Sequence, residues 1–179
     1  MRIAQLAPLA ESVPPKLYGG TERVVAWLVD ELVELGHDVT LFASGDSRTK
    51  GELHAVWPRA LRLGRKGADP NAACAVLLEA IAKRAKDFDV IHAHIDWLPL
   101  PLLSRLGVPF VTTMHGRLDL PGLSEVLRQF PGGASCRYRT ISVCRCLRRI
   151  GSPRSSTDCH RTTFARLSIK DPIWRSSAA

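Results

Sequence analysis

Apolar residues recur along this chain at two alternating periods. Ile3–Ala7 is a short apolar run of the buried-strand kind. A loop with Pro14-Pro15 and Gly19-Gly20 follows. Thr21 then reads as a helix N-cap, with Glu22 in the first turn. Val24, Val25, Leu28, Leu32, Val33 and Leu35 repeat at helical spacing until Gly36 stops the helix. Val39–Ala43 is a second strand and closes a β-α-β unit whose crossover should be right-handed. Leu53–Val56 suggests a short third strand and Arg59–Asp69 a loop. Asn71–Lys86 reads as a helix, with Ala73, Val76, Leu77, Ala80 and Ile81 on one face. Phe88–Ala93 and Val108–Met114 are mostly apolar and read as strands of the fully buried kind. Trp97–Leu106 between them predicts a helix ending at Gly107, and a short helix falls within Leu118–Phe130. Strands alternating with helices, with no polar face on the strands, predict a parallel sheet covered on both faces. The fold class is α/β, a Rossmann-like doubly wound parallel sheet.

That pattern ends near residue 131. Ten of the 25 Lys and Arg but two of the 17 Asp and Glu fall in residues 136–179, a net of +8. The first 135 residues keep fifteen of each sign and are neutral. Four of the five cysteines (Cys136, Cys144, Cys146, Cys159) also lie past residue 135. A basic segment points first to nucleic acid or an acidic membrane surface. This one has neither aromatic interleaving nor helical periodicity nor a nucleic-acid motif, so no nucleic-acid partner is expected. Cys144-Arg-Cys146 with Cys159-His160 lacks the second paired knuckle of a zinc site, and no metal is expected. No apolar run approaches the ~20 residues of a membrane span; Trp97–Leu103 is interrupted by two prolines. Met1–Ala7 reads as a strand rather than a signal peptide, so the expected location is cytoplasmic, with reduced cysteines.

In doubly wound sheets, ligands bind beyond the carboxyl ends of the strands. Three loops there carry unusual residues. Tyr18-Gly19-Gly20-Thr21-Glu22 follows the first strand; its glycines allow close backbone approach, and the helix start after them favours an anion. A tight turn before an N-cap explains the same residues equally well. His92-Ala93-His94-Ile95-Asp96 ends the fourth strand. Residues two apart point the same way, so the two histidines could share a face, one packed under the sheet end and the other lining a cleft. Thr112-Thr113-Met114-His115-Gly116-Arg117 ends the fifth strand, with His115 placed to touch a hydroxyl or phosphate and Arg117 to pair with an anion. A structural histidine is the plainer alternative for His115.

These residues together resemble a known family. Ala7-Pro-Leu9 with Pro14-Pro-Lys-Leu-Tyr-Gly-Gly-Thr-Glu-Arg23, Leu35-Gly-His-Asp-Val-Thr-Leu-Phe-Ala-Ser-Gly-Asp46, Asp89-Val-Ile-His-Ala-His94 and Pro109-Phe-Val-Thr-Thr-Met-His-Gly-Arg117 closely resemble bacterial glycosyltransferases of family 4. The resemblance covers residues 1–131 and implies one half of a GT-B architecture, two Rossmann-like domains facing across a cleft. It implies a retaining transfer from a nucleotide-diphosphate sugar to a sugar or lipid acceptor, with no metal or other cofactor. It implies His115 as the catalytic cleft histidine near the transferred sugar. Gly19, Gly20 and Thr21 would serve the donor phosphates or the acceptor, and Asp96 and Arg117 the acceptor side. A sugar-nucleotide epimerase of the same two-domain fold is the runner-up. A non-catalytic acceptor- or phosphate-binding module and a non-functional gene fragment are the alternatives outside enzymes.

The resemblance also implies a second, donor-binding domain after residue 131, which residues 132–179 do not resemble. Back-translated and read one frame over, the stretch from Val143 can spell HGLP followed by YLAFLGR without a stop, the pattern the family carries where its second domain begins. The expectation is therefore a domain of residues 1–131 followed by an out-of-frame, irregular or disordered tail at 132–179. A chain so built should be inactive alone.

Overall fold

The computed structural model describes residues 1–64, 68–130 and 134–137, the last four and Leu63 by their backbone only. Six strands form one sheet: β1 (Arg2–Leu6), β2 (Asp38–Ser44), β3 (Glu52–Trp57), β4 (Val90–Ala93), β5 (Phe110–Met114) and β6 (Ala134–Arg137). Their order is β3-β2-β1-β4-β5-β6 and every pairing is parallel. Chain order thus reverses direction between β1 and β4. That switch point opens a crevice at the carboxyl edge, where doubly wound sheets hold their ligands.

The helices α1 (Gly20–Glu34), α2 (Pro70–Arg84), α3 (Leu100–Leu103) and α4 (Leu123–Gln129) connect the strands. Val25 and Val29 of α1 pack with Ile3, Val39 and Leu41 on one face of the sheet. Ala73, Leu77 and Ile81 of α2, with Leu103 of α3, pack with Leu6, Phe42 and Ile91 on the other. Alternate residues of β1, β2 and β4 therefore feed two separate cores, which is why those strands read as mostly apolar.

β2 and β3 are parallel neighbours joined without a helix, so residues 45–51 must run back along β2. Gly51 makes that passage possible: a Cβ there would lie 2.4 Å from the Val39 carbonyl oxygen. Edge strand β3 is only half-buried.

Several expectations change in detail. Gly19, not Thr21, caps α1, and being glycine it supplies no side-chain cap bond; Thr21 is already helical. The Trp97–Leu106 helix shrinks to the single turn Leu100–Leu103, because Pro99 and Pro101 withhold amide donors. Arg59–Asp69 contains a short 3₁₀ turn at Leu61–Leu63. Leu35 and Val76, grouped with buried positions by spacing, are 71% and 44% exposed. Ala134–Arg137, assigned by sequence to the irregular tail, pairs with β5 in register from Val111↔Ala134. The remainder of that tail, 132–133 and 138–179, lies outside the described residues.

Candidate functional site

β1 and β4 pair Gln5 with His92, and β4 and β5 pair His92 with Val111. Since side chains alternate, Gln5, His92, His94, Thr113 and His115 fall on one face of the sheet, the face α1 covers further down. They form a continuous polar row across the switch point. His115 Nε2 lies 3.0 Å from His94 Nδ1, and His94 Nε2 lies 2.9 Å from Gln5 Oε1. Gln5 Nε2 lies 3.4 Å from His92 Nδ1, and His92 Nε2 lies 2.8 Å from Thr113 Oγ1. The His92 and His94 rings are 4.1 Å apart between centroids, and those of His94 and His115 5.3 Å.

Burial sets the charge of this row. Loss of water around His92 pushes its pKa down to about 4, with His115 adding to the effect. His94 is driven well below its ordinary value by burial, then by His92 and His115. His115 is lowered by burial and partly restored by Asp96. A buried imidazolium among other imidazoles is unfavourable, so all three rings are neutral at pH 7.

Asp96 holds the end of the row. Its Oδ1 accepts hydrogen bonds from the amides of His115, at 2.7 Å, and Gly116, at 3.2 Å. Its own carbonyl accepts from Thr112 Oγ1 at 2.6 Å. Asp96 has a left-handed backbone, φ 54°, which Asp tolerates better than most residues. The expected acceptor-side carboxylate is thus a brace between the β4 and β5 loops.

Arg117, expected on the acceptor side, is paired beside it. Its guanidinium makes a two-pronged ion pair with exposed Asp119 at 2.9 and 2.8 Å, so it is engaged within its own loop.

The glycine loop stands at the end of β1, on the same edge of the sheet. A Cβ on Gly19 would lie 2.8 Å from Pro15 Cβ and 2.9 Å from Glu22 Oε2, whereas one on Gly20 would meet nothing within 4 Å. Close packing therefore requires the first glycine, and the second leaves the start of α1 open. Beneath the loop, Glu22 and Glu11 are both buried. Burial raises the pKa of Glu22, the nearby Glu11 carboxylate contributing to the rise. Glu11 binds Arg62 at 3.0 Å, and the Arg62 guanidinium lies 5.7 Å from the centroid of Tyr18.

A cleft of about 600 Å³ adjoins this loop, with Ser12, Pro15, Lys16, Asp46, Ser47 and Arg48 among its lining residues. Among the described residues, no group of three or more His, Cys, Asp or Glu side chains is arranged to hold a metal ion, and no helix is long and apolar enough to cross a membrane.

Sequence reasoning missed Gln5 and Glu11 as members of the site, and it placed Thr113 and Glu22 in the ligand-edge loops without a role of their own. Gln5 carried a signal, an amide inside an otherwise apolar first strand. Glu11 carried none by itself.

Residues 18–150 match the model of Glycosyltransferase Family 4. The chain belongs to this family. The matched segment begins at the glycine loop, takes in all three carboxyl-edge loops, and runs past residue 131. Among solved structures, the chain is similar to AviGT4, a glycosyltransferase involved in avilamycin A biosynthesis, at 30% identity over 65% of this chain and 32% of that one, with a TM-score of 0.42. It is similar to the sucrose-phosphate synthase of Thermosynechococcus elongatus at 15% identity over 76% of this chain and 41% of that one, TM-score 0.52. It is also similar to MurG of Acinetobacter baumannii at 12% identity over 76% of this chain and 41% of that one, TM-score 0.48. No curated protein sequence matches the chain. The family 4 chain described here therefore spans about a third to two-fifths of the length of these solved structures.

Proposed function

We propose that residues 1–131 form the acceptor-side domain of a retaining glycosyltransferase that uses a nucleotide-diphosphate sugar, with His115 the cleft histidine at the transferred sugar. The observation that carries this reading is the row of neutral imidazoles ending at His115 on the switch-point edge, with the open start of α1 on that same edge. Gly19, Gly20 and Thr21 bring first-turn amides to a phosphate or an acceptor oxygen, where such preorganised donors stabilise developing negative charge. Asp96 serves by holding the His115 loop. Arg117 would reach an anion only by leaving Asp119. The cleft beside the loop, with Lys16 and Arg48 as its cations and Ser12 and Ser47 as its hydroxyls, suits a hydroxylated or anionic acceptor.

The donor nucleotide would be gripped mainly by a second domain, whose expected start is replaced by out-of-frame translation after a break between about Gly132 and Val143. Leu17 and Tyr18 of the glycine loop and Trp97 and Leu98 after β4 are exposed, as expected of an edge that faces another domain.

Two measurements test the reading. Resequencing the gene from the Pro131 codon should reveal a frame change that restores HGLP … YLAFLGR and an open frame of about 100–150 further residues, an ordinary domain; an unaltered frame overturns that part. The chain alone, given nucleotide-diphosphate sugars and sugar or lipid acceptors, should neither transfer nor hydrolyse. The restored protein should transfer with retention at the anomeric carbon and lose activity in His115→Ala. Turnover by the chain alone refutes the missing-domain reading; inversion, or full activity without His115, refutes the mechanism.

A further inference from the structure

We infer that Gln5, buried in β1, is a positioning residue whose carboxamide sets which nitrogen of His115 carries the proton. The inference rests on the placement of His115 in the cleft proposed above, but its test does not use that reaction.

The argument is one of donors and acceptors. A carboxamide oxygen only accepts, so His94 Nε2, 2.9 Å from Gln5 Oε1, must carry hydrogen and donate. Neutral His94 then has its lone pair on Nδ1, which must accept from His115 Nε2–H at 3.0 Å. His115 in turn keeps its lone pair on Nδ1. In the other direction, the Gln5 NH₂ only donates. His92 Nδ1 accepts from it at 3.4 Å, and His92 Nε2–H donates to Thr113 Oγ1 at 2.8 Å. One amide thus polarises the whole row, and exchanging its oxygen and nitrogen would reverse all three rings.

Gln5 is fully buried, so its effect travels through His94 alone.

The test is nitrogen NMR of the full 179-residue chain with ¹⁵N-labelled histidine at neutral pH, without ligand. His92, His94 and His115 should each show a protonated Nε2 and an unprotonated Nδ1. Protonation of any of the three at Nδ1 in the native chain overturns the proposal. Gln5→Glu separates an imposed tautomer from the ordinary preference of free imidazole. A carboxylate accepts from His94 unchanged but cannot donate to His92, so His92 Nδ1 should lose its unprotonated signal while His94 and His115 keep theirs. A variant that folds and leaves His92 Nδ1 unprotonated overturns the proposal. If Gln5→Glu fails to fold, the native assignment decides alone. Since no sugar transfer enters, an inactive protein with these tautomers would refute the proposed function and leave this inference standing.

Discussion

Replacing Asp96 separates two contributions that the structure assigns to one residue. Its carboxylate accepts two backbone amides, at 2.7 and 3.2 Å, and its backbone sits at φ 54°. Hydrogen bonds to a charged acceptor are worth about 1.5–3 kcal/mol each; the longer one, to an exposed amide, belongs below that range. Asp96→Ala loses both and also places a Cβ residue without a compensating polar group in the left-handed region, at about 1 kcal/mol. The expected loss is about 3–4 kcal/mol, a large share of a domain's stability. Asp96→Gly loses the same bonds but relaxes the backbone, and should recover about 1 kcal/mol of that. Asp96→Asn keeps a neutral acceptor and the left-handed tolerance, and should lose about 1 kcal/mol. Urea unfolding of the three variants gives the order Ala worst, Gly intermediate, Asn mildest. Equal losses for Ala and Asn would show that the brace contributes nothing, and Gly worse than Ala would show that φ carries no strain. Hydrogen exchange at the His115 and Gly116 amides should accelerate in Ala and Gly before the rest of the sheet is affected.

The same reasoning extends to the neighbouring loops. Gly19→Ala pushes a Cβ into Pro15 and Glu22 and should cost about 1–3 kcal/mol, as overpacking does, whereas Gly20→Ala, in open space at a helix start, should be neutral or slightly stabilising. A shift of the urea midpoint for Gly20→Ala as large as for Gly19→Ala would refute this placement of the loop. The buried histidines also set a pH dependence. Burial lowers His92 from its ordinary 6.5 to about 4, so below pH 6.5 the unfolded chain binds a proton that the folded chain refuses. Stability should be complete above about pH 6.5 and fall by roughly 3 kcal/mol from this one group on acidification to about pH 4, His94 and His115 acting in the same sense. Unfolding midpoints between pH 7.5 and 4.5 check the slope, which should flatten in His92→Asn; a pH-independent midpoint would refute the burial of these rings.

What the sequence carried and what it did not divide along a physical line. Apolar periodicity reports which face of an element is buried, and it placed β1, β2, β4 and β5 within a residue or two. It does not report where hydrogen bonding stops. Thr21 looked like a cap by residue type, but the chain turns at Gly19, because a side chain there would collide with Pro15. Trp97–Leu106 has a helical density of apolar residues, but its prolines leave one turn. For β6, a sequence scored as irregular by composition takes a strand position because β5 offers an unpaired edge.

Legibility at the site followed range. His92, His94, Asp96 and His115 stand out one loop at a time, since each follows an apolar strand that must end at the ligand edge. Their connection does not, because it requires strand order. His94 meets Gln5 across 89 positions of sequence, and only the β1–β4 neighbour relation at the switch point makes them adjacent. Before that relation is known, Gln5 is a lone polar residue in a strand and His94 one of two interchangeable histidines. Once it is known, the amide must choose a direction, and the choice propagates ring by ring to His115. Arg117 shows the converse. A lone guanidinium beside a strand end suggests an anion site, but Asp119, two residues on, is already within reach. Long-range pairing thus created the polar row, and a short-range pairing engages the guanidinium beside it. A charged residue in a ligand-edge loop is informative only after the partners within its own loop are counted.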